Sequence, residues 1–384
     1  MVRAQRRFLW ALLAALMWIV GLTLSTAGAE LPDLSAVMEE FRTALPEEAR
    51  TWLSPAVWAE EGGIPDGNAV AEMSSLPALL KAAGEALRDV FPSAVKTLGE
   101  VLLCLLFSAL FRGICSAFGG GKLGESALFC GRVGVALVLC SGQLAQLNLV
   151  RGALACLQGV ANAMLPVLAA LLAAGGNTAS AAATGGGLLL FLNLAENLTA
   201  EFFLPLAAAL CGLAAVVWLP ERGRIRSLFA CLRRVLTFSL ALFGTVFAAV
   251  FGAQTLLAAG ADSISARTVK FAVGNALPVI GGVIGDSVRT VAAGLSYLRD
   301  TVGLLGILLT LLPLAVPLLT LFLHRAVLLV GGAAAELLGC GEEQKMLEEY
   351  ASVSGLLLAM VAGAAVCFIY ALIIFVRISL AISA

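Results

Sequence analysis

The chain has 384 residues, 60% of them hydrophobic and only 13% charged, where soluble domains carry about 25% charge. That leaves too little polar surface for a soluble globule of this size, and a mean hydropathy of +0.99 places most of the chain in lipid, which excludes a cytosolic enzyme. Lys+Arg 24 against Asp+Glu 25 leaves no cationic surplus for a nucleic-acid partner, so charge is informative by position and not by sum.

Arg3, Arg6 and Arg7 precede an apolar run from Phe8 to Leu24, and Ala27-Gly28-Ala29 follows. This is the pattern of a secretory signal peptide over residues 1–29, with an uncleaved anchor as the alternative. Either way the next segment is placed outside the cytoplasm. Residues 30–94 carry many glutamates and few bases, and Pro46, Pro55, Pro65 and Pro77 divide them into short helical pieces. Leu31, Leu34, Met38 and Phe41 fall at spacings of three and four, which predicts an amphipathic first helix. The segment reads as a small helical cap on the outer face or as a solvated linker.

A spanning helix needs about 20 apolar residues. Hydropathy marks spans near 98–111, 133–150, 188–219, 235–257, 302–323 and 353–376, and 153–174 is also apolar enough to cross. If 153–174 crossed, the loop holding Arg222, Arg224, Arg226, Arg233 and Arg234 would lie outside, against the positive-inside rule. An internal repeat offers a way out. Asn162 to Val167, around Pro166, resembles Asn275 to Val279, around Pro278; Pro205 and Pro317 each follow 39 residues later, so the unit recurs with an offset of 112. In the second copy Arg267, Lys270 and Asp286 among Gly274, Gly281, Gly282 and Gly285 make 265–286 too polar to cross. It reads as a re-entrant or broken segment, which survives at membrane depth only where protein or a watery cavity satisfies its backbone. By analogy 153–187, with Pro166, Gly175 and Gly176, forms an outer re-entrant hairpin. Chance matching of prolines in an apolar chain is the alternative to the repeat. The architecture expected is therefore an all-α polytopic membrane protein. About six spanning helices and two re-entrant or broken segments form a tandem repeat, divided as a first helix pair 95–150, repeat one 151–262 and repeat two 263–384. Arg112, Lys122, Arg132, the 222–234 arginines, Arg325 and Lys345 then lie inside, while Arg267, Lys270, Arg289 and Arg299 remain outside against the charge rule.

Asn193, Glu196 and Asn197 share one helix face, with Glu201 about a turn further on. A carboxylate at a helix centre costs about 2.5–3.5 kcal/mol on insertion scales, so these groups either line a polar cavity or sit near the outer interface. The glycines from Gly175 to Gly187, with Asn177, Thr178, Ser180 and Thr184 among them, either contact a solute or allow close helix packing. With one histidine, His324, the chain cannot form a two-histidine zinc site, and that residue is expected at the lipid boundary. No phosphate-binding glycine-lysine loop is present. The nine cysteines lack metal-ligand spacing, and no cofactor is implied. The charges from Glu342 to Glu349 read as a solvated helix face, or as a partner surface.

The stretch Ser265-Ala266-Arg267-Thr268-Val269-Lys270-Phe271, continued by Gly274-Asn275 and Pro278-Val279, resembles the stage III sporulation protein AE family of endospore-forming bacteria. The resemblance runs through most of the chain and is weakest from Glu30 to Pro92. It implies a multi-pass protein of the mother-cell membrane around the forespore, working with other stage III sporulation proteins in a channel or secretion-like complex that supports forespore development. It implies no catalytic residues. A small-solute or ion permease is the alternative, and an intramembrane hydrolase is a third and weaker one. The leader assignment predicts that the membrane-extracted protein starts at Glu30 by N-terminal sequencing; a start at Met1 would contradict it.

Overall fold

The acidic N-terminal segment forms a helix because its apolar residues fall on one side, and Met38, Phe41 and Leu45 of that side are buried. The computed structural model describes residues 34–53, 55–58, 65–117, 122–174, 194, 197–216, 225–249 and 281–383. The expected leader, the arginines 222 and 224, and the block from Ser265 through Pro278 lie outside the described residues. In chain order the helices are α1 (Leu34–Ala44), α2 (Glu47–Arg50), α3 (Gly67–Met73), α4 (Leu76–Ala117), α5 (Lys122–Ala174), α6 (Leu204–Val216), α7 (Ile225–Ala249), α8 (Gly281–Leu337) and α9 (Gly341–Ser383). No strand occurs among the described residues.

Five of these helices are long and apolar enough to cross a membrane: α4, α5, α7, α8 and α9. They coincide with five of the six expected spans. The sixth is represented by the short apolar helix Glu201–Val216. Its first turn, Thr199–Phe203, is wound as a π-turn, with the Leu204 N–H bonded to the Thr199 carbonyl. Pro205, next in the chain, has no N–H to continue the ordinary ladder, which favours such a widened turn.

The bundle is built on α4, α5, α8 and α9, of which α8 and α9 pack most extensively. α4 runs parallel to α8, because Val101 lies against Gly331 while Arg112 reaches the Gly339 carbonyl just beyond α8. α5 runs antiparallel to α8, with Gly142 beside His324 and Met164 against Gly306. α9 returns beside α8, placing Gly355 against Arg325 and Leu372 against Gly306.

The re-entrant hairpin expected over 153–187 changes in its first half, and its second half lies outside the described residues. α5 is one continuous helix of 53 residues that passes through Pro166 to Ala174, so the chain does not turn back at Pro166. Val160, Ala161, Ala163, Met164, Leu165, Val167, Leu168 and Leu171 are buried. Hydropathy alone cannot tell such a protein core from a lipid span, which is why 153–174 reads as a membrane segment. Gly175 and Gly176 lie outside the described residues. In the second copy the chain is already helical at Gly281, and α8 continues through Pro313 and Pro317.

The N-terminal segment is a docked cap. α1 packs on α5, and α2 and α3 pack on α8. Phe41 meets the Trp58 ring with centroids 6.0 Å apart, and the Arg42 guanidinium lies 5.8 Å from the same ring. Asp66 caps α3 by accepting from the Asn68 N–H at 2.9 Å. Two glycines make the docking possible. A Cβ on Gly159 would fall 2.5 Å from Pro46 Cγ, and one on Gly67 would meet the Tyr297 hydroxyl. α4 then runs without a break from the cap into the bundle, across the boundary expected at residue 94.

Because the Pro46 ring cannot yield, Gly159→Val is expected to lift the cap while leaving the bundle folded. Limited trypsin digestion should then cut at Arg42 and Arg50 at least several times faster than in the parent chain; unchanged digestion would contradict this docking.

Candidate functional site

The acidic start of α9 is where sequence and structure differ most. Glu342 and Glu343 fall in its first turn, where the helix dipole favours negative charge. Glu343, expected on a solvated face, is only 1% exposed. Its Oε1 accepts from Ser108 Oγ of α4 at 2.6 Å, and its Oε2 accepts from Arg112 Nη2 of the same helix at 3.0 Å. Arg132 of α5 brings Nε to 3.7 Å from Oε1, an ion pair without a hydrogen bond. One carboxylate thus joins α4, α5 and α9.

The turn before it is shaped for this contact. Gly339 has φ 69°, a left-handed conformation that glycine adopts without penalty. Its N–H bonds to the Glu336 carbonyl at 3.0 Å and the Cys340 N–H to the Ala335 carbonyl at 2.8 Å, which closes α8 in a Schellman motif. The Gly339 carbonyl is left to accept from Arg112 Nη1. Burial, and then the Glu343 carboxylate, push the Cys340 thiol up, so it stays protonated at neutral pH and serves packing.

Two further polar links reach α9. Arg233 of α7 pairs with Glu349 at 3.4 Å and donates to Ser352 Oγ at 3.2 Å. Gln143 of α5, fully buried, donates from Nε2 to the Tyr350 carbonyl at 3.2 Å and to Ser354 Oγ at 2.7 Å. Arg112, Arg132, Arg233 and Lys345 therefore gather at one end of the bundle, whereas Arg325, expected on the same side, lies further along α8 against Gly355.

Around Gln143 the interior is polar without being fully paired. Gln143 Oε1, Gln146 Oε1, His324 Nε2 and the Tyr350 hydroxyl are buried without a hydrogen-bond partner among the described residues. Ordered water is the usual way such groups are satisfied. His324 is 8% exposed, inside the bundle and not at the lipid boundary. The neighbouring Arg325 suggested the end of a span, but Gly355 has no side chain and lets that guanidinium lie across α9, so α8 continues to Leu337.

Of the polar residues singled out in the sequence, Asn197 and Glu201 are exposed, one turn apart at the start of the π-turn. Asn193 and Glu196 lie outside the described residues, as do Arg267, Lys270, Gly274, Asn275 and Pro278. Pro166 lies within α5. A cavity of ≈ 470 Å³ lies instead between α5, α6, α7 and α9, walled by Phe203, Phe243, Phe247 and Phe368 and bordered by Arg151 and Gln158. No group of three or more His, Cys, Asp or Glu able to hold a metal occurs among the described residues.

These features define a multi-pass helical membrane protein whose polar groups join helices. A sequence profile of stage III sporulation protein AE matches residues 68–379, and the chain belongs to that family. It is 26% identical over 222 residues to the stage III sporulation protein AE of Bacillus subtilis (strain 168). That match covers 58% of this chain and 56% of the relative, so the chain spans just over half the length of the relative it matches. No solved structure matches it.

Removing one partner of a buried pair leaves an uncompensated charge. Glu343→Ala is therefore expected to cost about 3–5 kcal/mol of stability, seen as a lowered melting temperature in detergent. Glu342→Ala, one residue away and paired with Lys345 near the surface, should cost less than about 1 kcal/mol.

Proposed function

We propose that this chain is a non-enzymatic membrane component of a channel or secretion-like apparatus linking mother cell and forespore. It resides in the mother-cell membrane around the forespore and is needed for forespore development. Its partners are other stage III sporulation proteins of the same complex, held through the outer face. The single observation that carries this reading is the docked cap. The described helices carry α1 to α3 on the body of the bundle, making a preshaped surface of the kind an assembly platform needs. Family membership supports the sporulation setting. The charge rule supports a cytoplasmic placement of the Arg112, Arg132 and Arg233 end, which puts the cap on the exported side.

A permease is the second reading, favoured by the ≈ 470 Å³ cavity between α5, α6, α7 and α9. The two readings separate by experiment. Pull-down of the full chain from sporulating cells should retain other stage III sporulation proteins, and Gly159→Val, which disturbs the cap, should release them. Liposomes holding this protein alone should show no solute or ion flux. Flux alone, with no partner retained, would favour the permease and overturn the platform.

A further inference from the structure

Arg151 stands out among the arginines. It is exposed on α5, within a helix apolar enough to span a membrane, and no described residue pairs with it. A guanidinium at such a place needs an anion or water, because charge in an apolar medium is costly unless compensated. The same residue borders the ≈ 470 Å³ cavity, together with Gln158 and Thr199. The remainder of the lining is almost wholly apolar and includes four phenylalanines and Met360. The volume is within the range of small-molecule sites, about 300–1,000 Å³.

An exposed cation on the lining of an apolar chamber matches an amphiphile with an anionic head and a hydrocarbon tail. A phospholipid meets both requirements and surrounds the protein at high concentration. A soluble anion would use only the arginine, and an apolar solute only the chamber. We propose that the cavity between α5, α6, α7 and α9 binds one membrane phospholipid, with its phosphate on Arg151 and an acyl chain among Phe203, Phe243, Phe247 and Phe368. Bound there, the lipid joins α7 to α5 and α9 on the side away from the Arg233–Glu349 pair. The site does not depend on membership of a channel complex.

Gly363 provides a second handle, because it lines the cavity and a Cβ placed on it meets nothing within 4 Å. A larger side chain there takes up chamber volume without a clash in the helix.

The test uses the full chain in nanodiscs doped with phosphatidylglycerol carrying a photoactivatable group on its acyl chain, with adducts mapped by mass spectrometry. Adducts should concentrate on Met360 and Phe368, above the level at Phe238 and Leu242, which are exposed on the outside of α7. Arg151→Gln should lower the cavity adducts about fivefold, as expected for loss of one cation at a lipid headgroup, and Arg151→Lys should restore most of them. Gly363→Leu should remove them while leaving those at Phe238 unchanged, which keeps the test open if Arg151→Gln fails to fold. Equal labelling at cavity and outside positions would overturn the proposal. So would cavity adducts indifferent to both substitutions, or crosslinking of another segment of this chain into the chamber in place of lipid.

Discussion

A carboxylate withdrawn from water is tolerated only where other groups replace its hydration, and Glu343 has two guanidinium groups and a hydroxyl to do so. The three residues that supply them come from α4 and α5, while the carboxylate stands at the start of α9. The rest of the bundle's geometry follows from that meeting. α4 must run beside α8 so that Arg112 reaches the Gly339 carbonyl, and α8 must close in the turn at Gly339 so that Glu343 enters the cluster on the first turn of α9. Gln143 then meets Tyr350 and Ser354 further along the same two helices. Apolar packing supplies the bulk of the contact among these helices, but it is tolerant of sliding. Directional polar groups fix the register.

The opposite end of the molecule is organised by close approach and not by charge. Gly159 and Gly67 let the cap come down on α5 and α8, and Phe41, Trp58 and Val57 fill the space between. α4 carries the chain from this cap to the charged cluster, so one helix joins the cap to the arginine-bearing end. Such continuity lets the cap and the bundle behave as one body.

Much of this was legible in the residues. The 3–4 spacing of Met38 and Phe41 marked the buried side of α1, and hydropathy placed five of the spanning helices. The arginines at 112, 132 and 233 belong together by the charge rule and gather at one end of the bundle, while Arg325 of the same expected set lies apart against Gly355. The remainder was hidden for definite reasons. Glu343 sits in a run of charges that resembles a solvated face, and its partners are more than 200 residues away in sequence, so nothing local distinguishes it from Glu342. The stretch 153–174 is apolar and largely covered by protein, and hydropathy gives lipid and protein surroundings the same weight. His324 beside Arg325 looked like a helix end because the space left by Gly355 belongs to another helix. The cavity beside Arg151 draws its walls from four separate helices, and no motif announces it.

Glu343 and Arg132 act together in holding α5 to α9. A double-mutant cycle measures this directly, using Glu343→Gln, Arg132→Met and the pair, with stability read from reversible unfolding in mixed micelles. Strong coupling is predicted, with the two single losses failing to add by about 1–3 kcal/mol. Additivity within about 0.5 kcal/mol would show that the two residues act independently, and the bundle would then have to owe its register to apolar packing alone.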